Sequence, residues 1–174
     1  MNRFLFTNCL VIDAAHHKPR TNMNVLVGGG IIEQISSSQI VAPDAKSINL
    51  NGKTLIPGLI DAHVHVTAAR FNLANLDIPY SEVAIQAGKF LENMLQRGFT
   101  SVRDAGGADM GLANAVNDGL VAGSRLFYCG KALSQTGGHG DFRLANIEGD
   151  LCACACSNSN ISRIADGITE VQKA

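Results

Sequence analysis

Short runs of β-forming residues, separated by turn residues, fill the first 55 positions of the chain. The runs that predict strands are Phe4 to Ile12, Asn24 to Val27, Ile31 to Ile35, Ser47 to Leu50 and Thr54 to Ile56. Gly28-Gly29-Gly30 lies between two of them, and glycines tolerate the positive φ of a hairpin turn. A phosphate-binding loop is the alternative, but no Lys-Ser or Lys-Thr pair follows. The pattern predicts a small β domain.

From residue 56 onward, strand and helix patterns alternate. The predicted strands are Leu59 to Val66, Phe99 to Arg103 and Arg125 to Leu133. Between the first two, one helical face carries the apolar residues Val83, Ala84, Ala87, Phe90, Leu91, Met94 and Leu95. Ser81 is its predicted N-cap and Gly98 its stop, Asp109 begins a second helix to about Gly119, and Thr169 to Ala174 begins a third. Such alternation is typical of a parallel α/β sheet with crossover helices.

Composition and charge exclude several classes of protein. The chain has 14 Lys and Arg against 15 Asp and Glu, so it lacks the basic surface that nucleic acid or an anionic membrane requires. No apolar run reaches the roughly 18 residues of a membrane span, and Thr7 and Asn8 interrupt the N-terminal apolar stretch. We therefore expect a cytoplasmic protein without nucleic-acid or membrane partners.

The cysteines do not form the pattern of a secreted disulfide framework. Their number, 5, is odd, and three of them form the run Cys152, Cys154 and Cys156. Alternate thiols of an extended segment point the same way and suit a soft metal, whereas small apolar filler is the other interpretation. The sequence leaves the role of this triplet open.

The residues best suited to chemistry lie at the end of the first predicted α/β strand. Side chains alternate along a strand, so Asp61, His63 and His65 share one face. Imidazole nitrogens bind zinc at roughly 2.0 to 2.1 Å, and two histidines that are two positions apart on a strand can converge on one ion. A pair of partly exposed strand histidines is the alternative. The Pro-Gly pair before this apolar run favours the carboxyl end of a parallel strand, where α/β barrels assemble their sites.

Three motifs resemble one enzyme family. Leu55 to Val66 resembles the first barrel strand of the amidohydrolase superfamily, and Gly98 to Gly107 resembles the second strand in its Xaa-Pro dipeptidase and imidazolonepropionase-like branch. Gly130 to Asp141, which contains Thr136-Gly137-Gly138-His139, resembles the loop after the third strand in dipeptidase-like members. The resemblance covers nearly the whole chain.

This resemblance implies a fold, a cofactor and a reaction. The fold would be a small β-sandwich segment over residues 1–55 followed by the first part of a (β/α)8 barrel over 56–174, left incomplete in this chain. The cofactor would be one or two divalent metals, usually zinc, with His63 and His65 as ligands. The metal activates water for hydrolysis of a C–N bond in a dipeptide or other amide. The family's remaining ligands and its catalytic aspartate are expected beyond Ala174, so the catalytic residues are not assigned.

Four further residues have roles that the sequence leaves between alternatives. Asp61 is expected either to orient an imidazole from outside the ligand set or to cap backbone groups. His139, in a glycine-rich loop, is expected to bind substrate, with an ordinary loop histidine as the alternative. Arg103 and Asp104, at the end of the second predicted strand, are expected to have a salt-bridged structural role, with a substrate contact as the alternative.

Two classes of function remain. The first is a metal-dependent dipeptidase-like hydrolase with a small-molecule substrate, of which this chain is an inactive N-terminal fragment. The second is a non-catalytic truncated polypeptide, or a module needing a complementing chain, and the unpaired sheet edges of a partial barrel favour association either with another copy or with such a chain. A nucleotide-binding domain would need Gly-x-Gly-x-x-Gly after a first strand, which the sequence lacks.

Overall fold

The computed structural model of the protein describes residues 2–68, 78–142 and 161–174. The chain divides into two compact units, Met1–Pro57 and Gly58–Ala174. The cysteine triplet at 152, 154 and 156 lies outside the described residues.

The first unit is a five-stranded sheet built from the predicted β runs. Its strands are β1 (Arg3–Val11), β2 (Arg20–Gly28), β3 (Ile31–Ser36), β4 (Lys46–Asn49) and β5 (Thr54–Leu55). The order is β3-β2-β1-β4, and β5 also pairs with β1. The antiparallel β2–β3 hairpin turns at Gly29 and Gly30, with φ of 59° and 80°, as the glycine run predicts. The strands thus form one sheet, and its place in a β-sandwich stays a prediction.

A bulge in β1 changes the face of the sheet on which the later residues of this strand lie. Asn8 has a φ of 52°, and the pairing register between β1 and β2 shifts between Phe6 and Cys9. Leu5 therefore packs in one apolar cluster with Leu26, whereas Cys9 packs in another with Met23. Without the extra residue, both side chains would lie on one face.

The second unit is mixed α/β. Its elements are β6 (Leu59–Val64), α1 (Tyr80–Gln96), β7 (Phe99–Asp104), α2 (Met110–Asn117), β8 (Arg125–Phe127), β9 (Ala132–Ser134), β10 (Ser162–Ile164) and α3 (Gly167–Lys173). Parallel strands form a sheet β6-β7-β8, and β9 pairs in parallel with β10. Neither sheet of the described residues closes on itself. The α/β class is confirmed, and the third predicted strand is divided by residues 128–131 into β8 and β9.

Helix α1 shows where apolar periodicity overstates burial. Val83, Ala87, Leu91 and Met94 are buried as predicted, and the last three pack in one apolar cluster with Val102 of β7. The predicted stripe is too wide, because Ala84, Phe90 and Leu95 are exposed. The N-cap prediction is also wrong: the cap residue is Pro79, which makes no side-chain cap bond, and Ser81 lies inside the first turn.

Two other boundary signals of this unit are confirmed, whereas α3 begins at Gly167, two residues before the predicted Thr169. Gly98 ends α1 with a φ of 93°. Asp109 caps α2, its Oδ1 accepting the backbone N–H of Leu112 at 3.0 Å. Among the described helices, none has the length and apolar character needed to cross a bilayer.

Candidate metal and substrate site

The parallel pairing of β6 with β7 places the two strand ends side by side. His63 is the second-to-last residue of β6, and His65 directly follows the strand. Their rings lie 5.2 Å apart between centroids at an interplanar angle of 82°. His63 is exposed and His65 is half-buried. The period-two pattern therefore brings the two imidazoles together, as predicted, at the carboxyl end of a parallel strand.

His65 is held by a backbone acceptor at the end of β7. Its Nδ1 lies 3.0 Å from the carbonyl oxygen of Gly106. Because a carbonyl oxygen only accepts, Nδ1 carries the proton and donates it, and in the neutral ring Nε2 keeps its lone pair. This is the arrangement in which an imidazole binds a metal through Nε2. The pair of histidines therefore fits a divalent metal chemically.

Asp104 is the buried polar centre of this region. Its side chain is 0% exposed. Oδ2 accepts the N–H of Val66 at 2.7 Å, and Oδ1 accepts the N–H groups of Gly106 and Ala108 at 2.9 and 3.1 Å. The carboxylate thus ties the end of β7 to the segment that follows His65.

Arg103 and Asp104 both make structural contacts, as expected, but in the described part of the chain these contacts are with backbone groups and not salt bridges. Adjacent residues of a strand point to opposite faces, and here Arg103 is exposed while Asp104 is buried. Arg103 Nε instead donates to the carbonyl oxygen of Ala62 at 2.7 Å. Both residues hold β6 and β7 together, but each does so through backbone groups.

Asp61 makes its described contact with the backbone. Its Oδ1 accepts the N–H of His63 at 3.2 Å. This contact is of the capping kind, and it fixes the backbone of the residue whose imidazole stands beside His65. An orienting effect of Asp61 on the imidazole itself stays a prediction.

His139 lies at a cavity that His65 also lines. The cavity has a volume of about 290 Å³, and both His65 and His139 line it, together with residues of β9 and β10. His139 is exposed, and His63 is not among the lining residues. The barrel-mouth argument predicts one concave region shared by His139 and both strand histidines. The cavity agrees with this prediction for His65 but not for His63.

The loop that carries His139 is braced from both sides. The N–H of Gly140 donates to Ser134 Oγ at 3.1 Å, and the hydroxyl of Ser162 donates to the Gly140 carbonyl oxygen. At the start of the loop, the N–H of Thr136 donates to Asp166 Oδ1 at 2.8 Å. The sequence predicts a polar loop here, and it does not reveal that β10 and the start of α3 hold that loop in place.

The other two histidines lie in the first unit. His16 Nδ1 lies 2.8 Å from Asp13 Oδ1, and Arg20 donates to the other oxygen of the same carboxylate at 2.5 Å. The hydrogen bond from His16, with that from Arg20, lowers the pKa of Asp13 to about 2. His16 is therefore a partner in an ion-pair cluster on the surface, and His17 is exposed.

Within residues 2–68, 78–142 and 161–174, no three His, Cys, Asp or Glu side chains come together as a ligand set. A catalytic zinc usually has three protein ligands and a water. The described part of the chain therefore offers two imidazoles to a metal. The role of Asp104 escapes sequence reasoning, because a strand-end carboxylate followed by Ala-Gly-Gly signals only a turn.

Comparison with known proteins agrees with the motifs. The sequence profile of the amidohydrolase family matches residues 54–174. Ochratoxinase from Aspergillus niger is 32% identical over 131 residues, which cover 69% of this chain and 27% of that enzyme. Imidazolonepropionase from Vibrio vulnificus is 32% identical over 83 residues, or 45% of this chain and 20% of the relative.

Among solved structures, a prolidase crystallised with N-methylphosphonate-L-proline superposes with a TM-score of 0.89 at 42% identity. The match covers 99% of this chain and 42% of the prolidase chain. The chain thus spans less than half the length of these relatives. The resemblance to the Xaa-Pro dipeptidase and imidazolonepropionase-like branch is confirmed.

Proposed function

Because the chain belongs to the amidohydrolase family, we propose that it forms part of a metal-dependent hydrolase acting on C–N bonds of dipeptides or other amides. The observation that carries this proposal is the pair of imidazoles at the end of β6, with ring centroids 5.2 Å apart. His63 and His65 would hold a divalent metal, typically zinc, as one or two ions. Such a metal supplies an activated water and polarises the carbonyl that is attacked.

The chain's own residues would orient the metal and the substrate. The Gly106 carbonyl fixes the His65 ring through Nδ1, which leaves Nε2 for the ion. Asp61 would fix the backbone of His63, because its carboxylate accepts the His63 N–H. His139, on the braced loop at the shared cavity, would donate a hydrogen bond to a substrate carboxylate or carbonyl oxygen.

A dipeptide is the substrate class that we favour. The superposed prolidase was crystallised with a phosphonate analogue of an acyl-proline. A cavity of about 290 Å³ near His65 has room for a small amide, near the lower end of the 300 to 1,000 Å³ common for small-molecule sites. We further propose that the chain is the N-terminal part of the hydrolase and that the (β/α)8 barrel is completed by further sequence. The odd cysteine number supports a cytoplasmic setting.

We expect the longer protein, expressed with any coding sequence downstream of Ala174, to hydrolyse dipeptides in a metal-dependent reaction. Activity should fall to background after chelation and return on adding zinc, because the water nucleophile needs the metal. A panel with proline and other C-terminal residues, assayed beside N-acyl amino acids and a lactone, would define the class. Activity that survives complete metal removal would refute the proposal.

Replacing His139 by alanine in that active form should raise KM or lower kcat/KM by about 10-fold, which corresponds to one lost hydrogen bond to a charged group. Zinc content should not change, since His139 acts on substrate. Gln135→Ala, another change at the cavity wall, is the matched control and should have a smaller effect. Loss of zinc in the His139 variant would instead make this residue a ligand.

One set of observations favours a second candidate function. The described residues provide two imidazoles and no ligand set of three. A non-catalytic module that assembles with a complementing chain would have this property. Zinc content and turnover, measured with and without a polypeptide carrying the rest of a barrel, would separate the two functions.

A further inference from the structure

We infer that Asp104 is a positioning residue for His65, acting through the backbone of Gly106. The inference rests on the proposed metal site, and it assigns a role to a buried carboxylate that touches neither imidazole. Asp104 accepts the Gly106 N–H at 2.9 Å, and the carbonyl oxygen of the same Gly106 lies 3.0 Å from His65 Nδ1. One residue thus connects the carboxylate to the ring.

The geometry leaves this connection little freedom. Asp104 also accepts the N–H of Val66, the residue after His65, at 2.7 Å. The carboxylate therefore holds the His65 backbone on one side and the acceptor of its side chain on the other. A buried carboxylate that accepts three backbone N–H groups satisfies most of its capacity, and such charge-assisted bonds are stronger than neutral ones.

Close packing fixes the position of Gly106 itself. A Cβ atom at Gly106 would come within 2.8 Å of the Ile161 carbonyl oxygen and 3.0 Å of Ala132 Cβ. The N–H of the next residue, Gly107, donates to the Gly130 carbonyl oxygen at 2.8 Å. The segment after β7 is therefore also held by contacts with residues 130–132 and Ile161. Asp104 then determines where the Gly106 carbonyl oxygen meets the His65 ring.

The consequence is a selected tautomer. With the Gly106 carbonyl in place, the neutral His65 ring carries its proton on Nδ1 and presents Nε2 to a metal. Without Asp104, three backbone donors lose their acceptor, the 105–108 segment rearranges, and both tautomers become accessible. Outer partners of metal-binding histidines are worth about 10- to 100-fold in metal affinity, so we expect a loss of that size.

The test compares Asp104→Ala with Ser124→Ala in this chain. Ser124 is a matched control, because it is also fully buried and braces the other end of β7 through the Phe99 carbonyl oxygen. Imidazole ¹⁵N shifts at pH 8.5 report the tautomer without any metal. Zinc titrations followed by the same resonances report affinity.

We expect the Nδ1–H form of His65 to predominate in the unaltered chain and in Ser124→Ala, and to lose its predominance in Asp104→Ala. Zinc affinity should fall by about 10- to 100-fold in Asp104→Ala relative to the control. Asp104→Asn keeps one acceptor oxygen for the Gly106 N–H, so it should restore the Nδ1–H form in part. If the alanine variant does not fold, Asp104→Asn is compared with Ser124→Ala instead.

Different outcomes overturn the inference and the proposed function. A predominant Nε2–H form in the unaltered chain refutes the inference without any variant. Equal tautomer ratios and equal zinc affinities in the Asp104 and Ser124 variants refute it as well, while leaving the metal site standing. A tautomer change in a chain whose His63 and His65 resonances never respond to zinc supports the positioning role and refutes the metal site.

Discussion

His65→Ala is expected to abolish metal-dependent turnover in the complete hydrolase and to weaken zinc binding by more than about 100-fold. The loss should exceed the 10- to 100-fold cost of an outer partner, because the variant removes a nitrogen that we propose binds the metal. His63→Ala should have an effect of the same order, since its imidazole is the second proposed ligand at the end of β6. Zinc content after dialysis and initial rates on the best dipeptide measure both effects.

The two variants should differ in stability, which separates loss of a ligand from loss of fold. His63 is exposed, so its replacement should change the free energy of unfolding by less than about 0.5 kcal/mol. His65 is half-buried and bonded to Gly106, so its replacement should cost about 1 kcal/mol. His17→Ala, which removes an exposed histidine of the first unit, is the control and should keep both zinc and activity. Full zinc content in His63→Ala would contradict the assignment of that residue.

Local patterns in the sequence predict the parts of this fold that depend on one element or one turn. Period-two alternation brings His63 and His65 together, and the Gly28-Gly29-Gly30 run predicts the hairpin that Gly29 and Gly30 form with positive φ. Asp109 caps its helix because an N-cap needs only a side-chain oxygen and an N–H three residues on.

Features that depend on distant chain segments are not predictable in this way. Ser81 is a good capping residue by type, but Pro79 already sets the start of the helix, so the serine falls within the first turn. Phe90 fits the apolar stripe of α1 by spacing and is nevertheless 39% exposed, because burial depends on what packs against that edge of the helix.

The position of Asp104 illustrates the same limit for the site. Its three donors lie on two separate segments, and Val66 is distant from it in sequence. Polarity and strand position alone predict a salt-bridged structural role for Asp104, and only the three-dimensional contacts reveal a buried acceptor of backbone N–H groups. The two imidazoles follow from sequence, whereas the structure that orients one of them does not.

The 174-residue chain alone is expected to show no measurable dipeptide hydrolysis and to lose zinc on dialysis. A catalytic zinc site typically needs three protein ligands and a water, whereas the described residues bring two imidazoles together. With the third protein ligand missing, zinc should bind only weakly. A dialysed sample should therefore contain well under one zinc per chain, as measured by elemental analysis.

The same chain is expected to associate in solution. In the described sheet β6-β7-β8, the outer strands β6 and β8 each have one unpaired edge. Ile60 and Phe127 on those strands are 72% and 56% exposed, and Leu133 on β9 is 52% exposed. Unpaired edges that carry apolar side chains favour pairing with another copy or with a complementing polypeptide. Light scattering during size-exclusion chromatography, with and without a polypeptide carrying the rest of a barrel, measures this.

Replacing Ile60 and Phe127 by threonine should reduce that association, because threonine is a good strand former with less apolar surface than either residue. Ile85→Thr, a change at an equally exposed position of α1, is the control and should leave association unchanged. A monodisperse monomer that retains one zinc per chain and hydrolyses dipeptides would contradict both expectations. The coordination would then have to be completed by residues outside the described ranges, and the thiols of Cys152, Cys154 and Cys156 would be the first to replace.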